Sequence, residues 1–409
     1  MSRFLPLQSI SLFCWICVLS VRPVMADVMS MLDDVSWHGF ASQGYTQTNE
    51  NDFFGTSSTG SFKSNELGIN ASWQPLDQVN LSGQLLYKQM GNAKPKGVNV
   101  DFAIVDWRLI DDFDYGGGLR VGRLKNTFGF FNETRDVAST RPSILLPEST
   151  YIDYLRAAFH SSDSVGVYGR YELSRGTLSL DTVFGKPIFN DDTVDAMVGG
   201  DTDGDMENEE VFVARLSYED GSGLWRTALS YSTIDADFET SDAEALIGFN
   251  DGEFNSLQYL FSLQFDWNQW QLIGEYQLRN FETKGILPDP TTFIPTDIKN
   301  EGFGHYVQLG YSFNSRYRAY IRRDTSYLDK DDKNGEKLSA KAFGTIPAHS
   351  AFAFDTTMGI IYTPSLDWTF GFELHRVNGT MWLPHIENPI AADRKQRWDM
   401  YLLQAAYRF

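Results

Sequence analysis

Cysteine is almost missing: only Cys14 and Cys17 occur among 409 residues. Both fall in MSRFLPLQSISLFCWICVLSVRPVMA. Its cationic Arg3, apolar run from Ile10 to Val21 and small-residue site Val24-Met25-Ala26 predict a signal peptide over residues 1–26, cleaved after Ala26. The exported chain then holds no thiol, which excludes disulfides and thiolate chemistry. No apolar run approaches the roughly 18 residues of a membrane-spanning helix, the segment 10–21 included. Histidine is scarce too: His38, His160, His305, His349, His375 and His385 are scattered, without a G-x-S-x-G motif to supply a nucleophile. No cofactor is expected. Positive charge is in deficit, with a net −20 that becomes −22 once Arg3 and Arg22 leave, so a basic footprint for nucleic acid is excluded.

Aromatic residues are plentiful, 14% of the chain, yet they do not fall at helical spacing. They recur in segments of about ten residues that alternate apolar with polar, the pattern of strands with one apolar face. Leu67, Ile69, Ala71 and Trp73 share one face while Glu66, Gly68, Asn70 and Ser72 share the other. Leu257, Tyr259, Phe261, Leu263 and Phe265 likewise oppose Gln258, Ser262, Gln264 and Asp266. Sixteen such segments can be read between Trp37 and Phe409.

The connections assign these strands to a fold. Short, turn-like links at Gln74, Asp111, Ser174, Glu219, Trp267, Asn314 and Thr363 alternate with eight longer polar ones. The long links run over about 49–61, 91–98, 125–163, 187–209, 235–253, 281–302, 328–350 and 378–395. Short turns on one rim and long loops on the other predict an all-β, antiparallel up-and-down transmembrane barrel over residues 36–409, behind a short periplasmic segment 27–35. Hydrocarbon supplies no hydrogen bonds, so the sheet must close and the last strand must pair with the first. In YLLQAAYRF the outward set is Tyr401, Leu403, Ala405, Tyr407 and Phe409, which places a terminal aromatic at the turn rim beside Trp73, Trp107, Trp270 and Trp368.

Loop 125–163 is the longest connection. Its FGFF and ILLP stretches are too apolar for water, so it is expected to pack against the inner wall or a partner subunit. Packed inside, it forms a constriction bearing Glu133, Arg135, Asp136, Arg141, Glu148 and Asp153. Parity turns Arg108, Arg120, Arg170, Arg316, Arg318 and Arg322 towards water, opposed by a near-equal number of acids. SRYRAYIRR is the densest basic stripe: either it attracts anionic groups, or its arginines pair with acids on neighbouring strands. In the acidic loop, Asp201, Asp203 and Asp205 imitate the start of a calcium loop, but Met206 and Phe212 stand where its glycine and closing glutamate belong. A solvated loop that holds divalent cations loosely and bridges to lipopolysaccharide phosphates fits better.

The cleaved signal, the alternating strand ending in Phe409, the eight long loops and VGRLKNTFGFFNETRDVASTRPSILLPEST together resemble the sixteen-stranded porins of Gram-negative outer membranes. The general porins' acidic motif is absent from this loop. The resemblance implies an outer-membrane location, a third loop folded into the lumen, and a terminal strand, Tyr401, Leu403, Tyr407 and Phe409, read by the barrel-assembly machinery. It also implies a homotrimer and passive diffusion of ions and small hydrophilic solutes. Two other readings stand beside it. One is a receptor or adhesin whose loops bind a partner; the other is an outer-membrane lipase-type enzyme, which the histidine pattern disfavours.

Overall fold

Sixteen antiparallel strands satisfy the period-two pattern, each paired with its chain neighbours, and the sixteenth with the first. A computed structural model describes residues 34–92, 97–153, 155–198, 202–246, 248–288 and 295–409. The expected signal peptide, residues 27–33 of the segment after it, and Asp201 lie outside the described residues. The strands are β1 (Ser36–Thr48), β2 (Ser61–Leu76), β3 (Val79–Met90), β4 (Val98–Asp111), β5 (Tyr115–Lys125), β6 (Ser161–Leu173), β7 (Gly176–Pro187) and β8 (Asp205–Asp220). They continue as β9 (Trp225–Glu239), β10 (Gly252–Trp267), β11 (Trp270–Pro288), β12 (Pro295–Ser312), β13 (Tyr317–Tyr327), β14 (Phe352–Tyr362), β15 (Trp368–Gly379) and β16 (Arg397–Arg408).

The links at one rim are as short as 77–78, 174–175 and 268–269, the last tightened by Asn268 in the left-handed region at φ 52°. The other rim carries the long loops. One expected loop is mostly strand: β11 runs on to Pro288, β12 starts at Pro295, and Leu287 pairs with Thr296 across the segment read as 281–302. The reason is physical. Beyond the apolar band a strand meets water on its outer face, so its hydropathy alternation vanishes while its ladder continues. β8 extends into the acidic loop 187–209 in the same way and β9 into the next link, 235–253, with Asp205 opposite Glu239.

Closure runs from Phe40 opposite Arg408 to Thr48 opposite Met400. It ends in a reciprocal pair of hydrogen bonds: the Gly39 N–H donates to the Phe409 carbonyl and the Phe409 N–H to that of Gly39, both at 3.0 Å. The Phe409 ring lies over Gly39, where a Cβ would stand 2.3 Å from its tip. A larger residue at 39 would evict the ring.

Leu67, Ile69, Val105, Val167, Leu229, Phe261, Val307, Ile321, Met358 and Leu403 all stand exposed on the outside. That surface suits hydrocarbon and not water. Aromatic rings edge it on both sides. Near the turns, Trp270 meets Tyr311 at 4.6 Å, Tyr317 meets Tyr362 at 4.6 Å and Trp368 meets Tyr407 at 4.9 Å. Towards the loops, Phe303 meets Tyr327 at 4.9 Å and Tyr327 meets Phe354 at 5.4 Å. Along β12, Phe303 and Tyr311 are separated by roughly 27 Å of strand, which a barrel tilt of about 40° turns into roughly 20 Å of depth, close to that of a lipid-facing band.

The core lies inside the barrel. Towards the loops, inward positions of β7 to β11 carry Val183, Val211, Val213, Ile234, Phe238, Phe254 and Ile286, with Phe128 and Val194 pressed among them. Across the barrel Phe53, Ile144, Val377, Trp382, Trp398 and Met400 form a second buried cluster. Each side chain of this size contributes about 1.5–3 kcal/mol by leaving water. The loop half of the lumen is thus built like a soluble core.

Candidate functional site: the loop inside the barrel

Residues 126–153 and 155–160, between β5 and β6, turn into the lumen, and the FGFF stretch makes that turn. Gly129 adopts φ +64°, and a Cβ there would stand 2.3 Å from the Tyr151 hydroxyl and 2.6 Å from Leu260, so only glycine fits. Its N–H donates to Ser230 Oγ at 3.0 Å, while Arg215 donates to its carbonyl at 3.1 Å. Phe131 then packs with Leu146, Tyr151, Ile273 and Tyr306. Glu275 of β11 gathers this turn: its carboxylate accepts from the Phe130 N–H, the Tyr151 and Tyr306 hydroxyls and the Ser262 hydroxyl, at 2.6 to 3.1 Å.

The next stretch crosses to the opposite wall and is held through its backbone. Arg318 and Gln308 donate to the Pro142 carbonyl at 3.0 and 3.2 Å. Arg322 donates to Ser143 Oγ and the Leu145 carbonyl, both at 2.9 Å. Glu373 accepts the Ile144 N–H at 2.7 Å and the Leu145 N–H at 3.1 Å. Arg279 donates to the Ser149 carbonyl at 2.9 Å, and the Ser149 N–H reaches Asp324 at 3.3 Å. Behind Glu373, His375 bridges to Asp355 at 2.7 Å, and Tyr320 donates to Glu373. A loop without regular structure has free N–H and C=O groups, and these buried charges satisfy them where water does not reach.

Ion pairs tie the remainder. Arg141 pairs with Glu66 at 3.1 Å, Lys88 with Asp153 at 3.4 Å, and Arg135 with Asp153 at 3.2 Å. Asp136, fully buried, faces Lys125 at 2.9 Å, His160 at 2.8 Å and Arg156. Burial alone would raise its carboxyl, but Arg156, Lys125 and His160 hold it well below the ordinary carboxylate range. Glu148 goes the other way: burial, with Asp153 beside it, pushes its carboxyl well above that range. Asp101, Asp136 and His160 cluster in a metal-like group. The Lys125 ammonium already stands 2.7 Å from Asp101 and 2.9 Å from Asp136, where a cation would sit.

Two cavities flank the loop. One, of about 30 Å³, lies between the loop and β1–β3 with β16, and is lined by Glu66, Lys88, Arg135, Arg141, Glu148 and Asp153. The other, of about 90 Å³, opens against β5 to β7 beside Arg120, Lys125, Glu133, Tyr168 and Asp181. Along this second wall charges alternate: Asp106 with Arg120 at 3.0 Å, Arg120 with Asp181 at 3.5 Å, Asp181 with Arg215 at 3.3 Å, and Arg215 with Glu133 at 2.5 Å. Arg120 also lies 4.1 Å over the Tyr168 ring, and Arg226 4.4 Å over that of Phe130. Asp106, Arg120 and Glu133 are partly exposed, so this ladder meets the water of the turn-side lumen.

The basic residues read from parity therefore divide. Arg120 lines the second cavity. Arg318 and Arg322 point inward but end on the loop, and Arg322 is only 1% exposed. Within the stripe Arg322 is covered by the loop and Arg318 is half-buried against it. Arg108 and Arg170 stand at the turn rim, paired with Asp111 at 2.7 Å and Glu172 at 3.1 Å. Arg316 sits in the 313–316 turn, exposed. Asp203 precedes β8 and Asp205 opens it, its carboxylate accepting the Met206 N–H. Tyr401, Leu403, Tyr407 and Phe409 all face outward. Residues with no part in the sequence reading carry much of the seam: Tyr151, Tyr306, Tyr320 and Asp324. One missed signal was available. Val211-Phe212-Val213-Ala214 is apolar at every position, the pattern of a strand buried on both faces.

No family model matches the sequence, nor does any curated protein. Solved structures do match. The barrel is similar to OprB of Pseudomonas putida, at 11% identity over 93% of this chain and 96% of that one, with a TM-score of 0.58. It is also similar to the outer membrane channel DcaP of Acinetobacter baumannii, at 13% identity over 92% and 97%, TM-score 0.54. An anion-selective porin from Comamonas acidovorans matches at 10% identity over 92% and 99%, TM-score 0.54. At such identities the likeness is one of fold, and the fold is a porin-type barrel.

Proposed function

We propose that this barrel is a porin-type channel of the Gram-negative outer membrane, through which ions and small hydrophilic solutes diffuse past the inward loop. The observation that carries this reading is the partly exposed ladder Asp106, Arg120, Asp181, Arg215 and Glu133 beside an open cavity. A lumen wall needs fixed charge only where water and solute touch it, and alternating signs orient dipolar solutes without favouring one ion strongly. The short turns then face the periplasm, and the apolar band faces lipid, with lipopolysaccharide around the loop rim. Assembly as a homotrimer and recognition of the last strand by the assembly machinery belong to the same proposal. The enzyme reading has less support: His375 is enclosed between Asp355 and Glu373, and the outward-facing His305 stacks on Phe303 and Tyr276 instead of facing a carboxylate.

One observation favours a second reading, a receptor with a plugged barrel: the two apolar clusters under the loops. Single-channel recording in planar bilayers separates the two. Stable open steps in salt are expected of the channel; purified, correctly folded barrels that insert and never conduct would leave the receptor.

A further inference from the structure

Two arginines on the outer wall are treated differently. Arg123 of β5 is matched by Asp163 of β6 in a two-pronged pair, Nε to Oδ1 at 2.8 Å and Nη2 to Oδ2 at 2.9 Å. Arg323 of β13 is exposed on the outside and pairs with no carboxylate among the described residues. Its Nη1 donates to the Thr356 hydroxyl of β14 at 2.7 Å, and its guanidinium lies 5.7 Å over the ring of Phe354, the next outward position towards the loops. The same register row runs from Arg323 to Thr356, then to Arg376 of β15 and Asp399 of β16. Arg376 is 77% exposed and only grazes Asp399, at 3.8 Å. Arg397, one outward position nearer the loops on β16, is exposed and has no acid among the described residues. Lys333 reaches down from the 328–351 loop over the rings of Phe303 and Tyr327, at 5.1 and 5.7 Å. Asp399 is the one outward acid that β13 to β16 set against these cations, in a chain of net charge −20.

A guanidinium on a wall that faces hydrocarbon is unfavourable without an anion beside it. Arg123 has one from its own chain and Arg323 does not, so the missing counter-charge comes from outside. A phosphate above Thr356 would meet Arg323 and Arg376 from its two sides, since these stand on alternate strands roughly 10 Å apart and a guanidinium fork fits phosphate oxygens in pairs. Lys333 and Arg397 stand further out, at least roughly 14 Å from one another across the wall, beyond the span of one phosphate. On the turn side of the row, Ile321 and Met358 are exposed and apolar. We propose that this patch is a docking surface for lipopolysaccharide, the multiply phosphorylated glycolipid of the outer leaflet, with one phosphate between Arg323 and Arg376 and acyl chains along Ile321 and Met358. The site rests on the outer-membrane placement argued above, with the loops on the outer-leaflet side, and not on conduction.

Native mass spectrometry of the folded barrel in detergent micelles, with EDTA present, tests this with three probes: a rough-type lipopolysaccharide, its dephosphorylated form, and phosphatidylglycerol with its single phosphate. One lipopolysaccharide per barrel is expected, held at least about tenfold more tightly than either other probe, the worth of one charge-assisted pair. Replacing Arg323 and Arg376 together by Gln should lower that affinity at least about tenfold, whereas Arg123→Gln, whose arginine is already neutralised, should bind as the parent does. Equal binding of phosphatidylglycerol or of the dephosphorylated form, binding that disappears in EDTA, unchanged affinity in the double variant, or an equal loss in Arg123→Gln would overturn the site. Should the double variant fail to fold, Arg376→Gln alone, at an exposed position, must lose at least about threefold, and unchanged affinity there overturns it too. Because no current is recorded, failure of this site is distinct from failure of the channel reading.

Discussion

The two halves of the lumen use the same parity to opposite ends. Near the turns, inward positions carry Asn70, Asp106, Arg120, Asp181 and Arg226; Asp106, Arg120 and Asp181 pair in alternating sign, while Arg226 donates to Gln264 and Asn70 to Gln84. Towards the loops, the same faces carry Val213, Ile234, Phe238, Val377 and Met400, buried against side chains from the loops. Inward does not mean wet. Whether an inward face is polar depends on what stands across from it, and the loop strung through the middle divides the two regimes.

Adding a carboxylate to each half gives the largest expected contrast. Ile234→Asp places an unpaired charge in a dry cluster and should cost about 3–5 kcal/mol, whereas Asn70→Asp, partly exposed in the turn half, should stay within about 0.5 kcal/mol. Denaturant titrations in lipid vesicles compare them; equal costs would mean the loop half is hydrated. A smaller effect is expected from removing Arg120 and Arg215 together by substitution with Ala. That leaves Asp106, Asp181 and Glu133 along the cavity and should raise the cation-to-anion permeability ratio roughly threefold at low salt, fading as screening grows. A fixed reversal potential would move the conduction path away from the ladder. The smallest effect is in acid. Because Asp136 is held below its ordinary value of 3.8, its stabilisation is complete above that pH and is lost as pH falls through its depressed value. Asp136→Asn should flatten the acid limb of the stability profile; an unchanged limb would assign acid sensitivity elsewhere.

Strand number, facing and closure were legible because each is a local, period-two statement repeated along the chain. Leu263 and Gln264 declare their sides from neighbours alone. The long strands β11 and β12 were truncated in that reading because Lys299, Asn300 and Glu301 lie past the lipid band, where the pattern has no cause. The inward direction of Arg322 follows from parity, but its partners do not. Ser143 and Leu145 are distant in the chain and sit in a loop without periodicity, so nothing local to Arg322 announces them. Glu373, Arg279 and Glu275 are alike in this: residue type and facing could be read, but the backbone groups they satisfy could not.

The joint at Gly39 and Phe409 also constrains time. Until β16 is in place, β1 keeps a row of unsatisfied backbone groups, an open edge that invites pairing with any other strand. The bond that removes the hazard connects nearly the two extremes of the chain, the costliest kind of contact to find by search. Until β1 and β16 meet, the sheet is an incomplete ring, and its safety in that interval depends on whatever guards a bare strand.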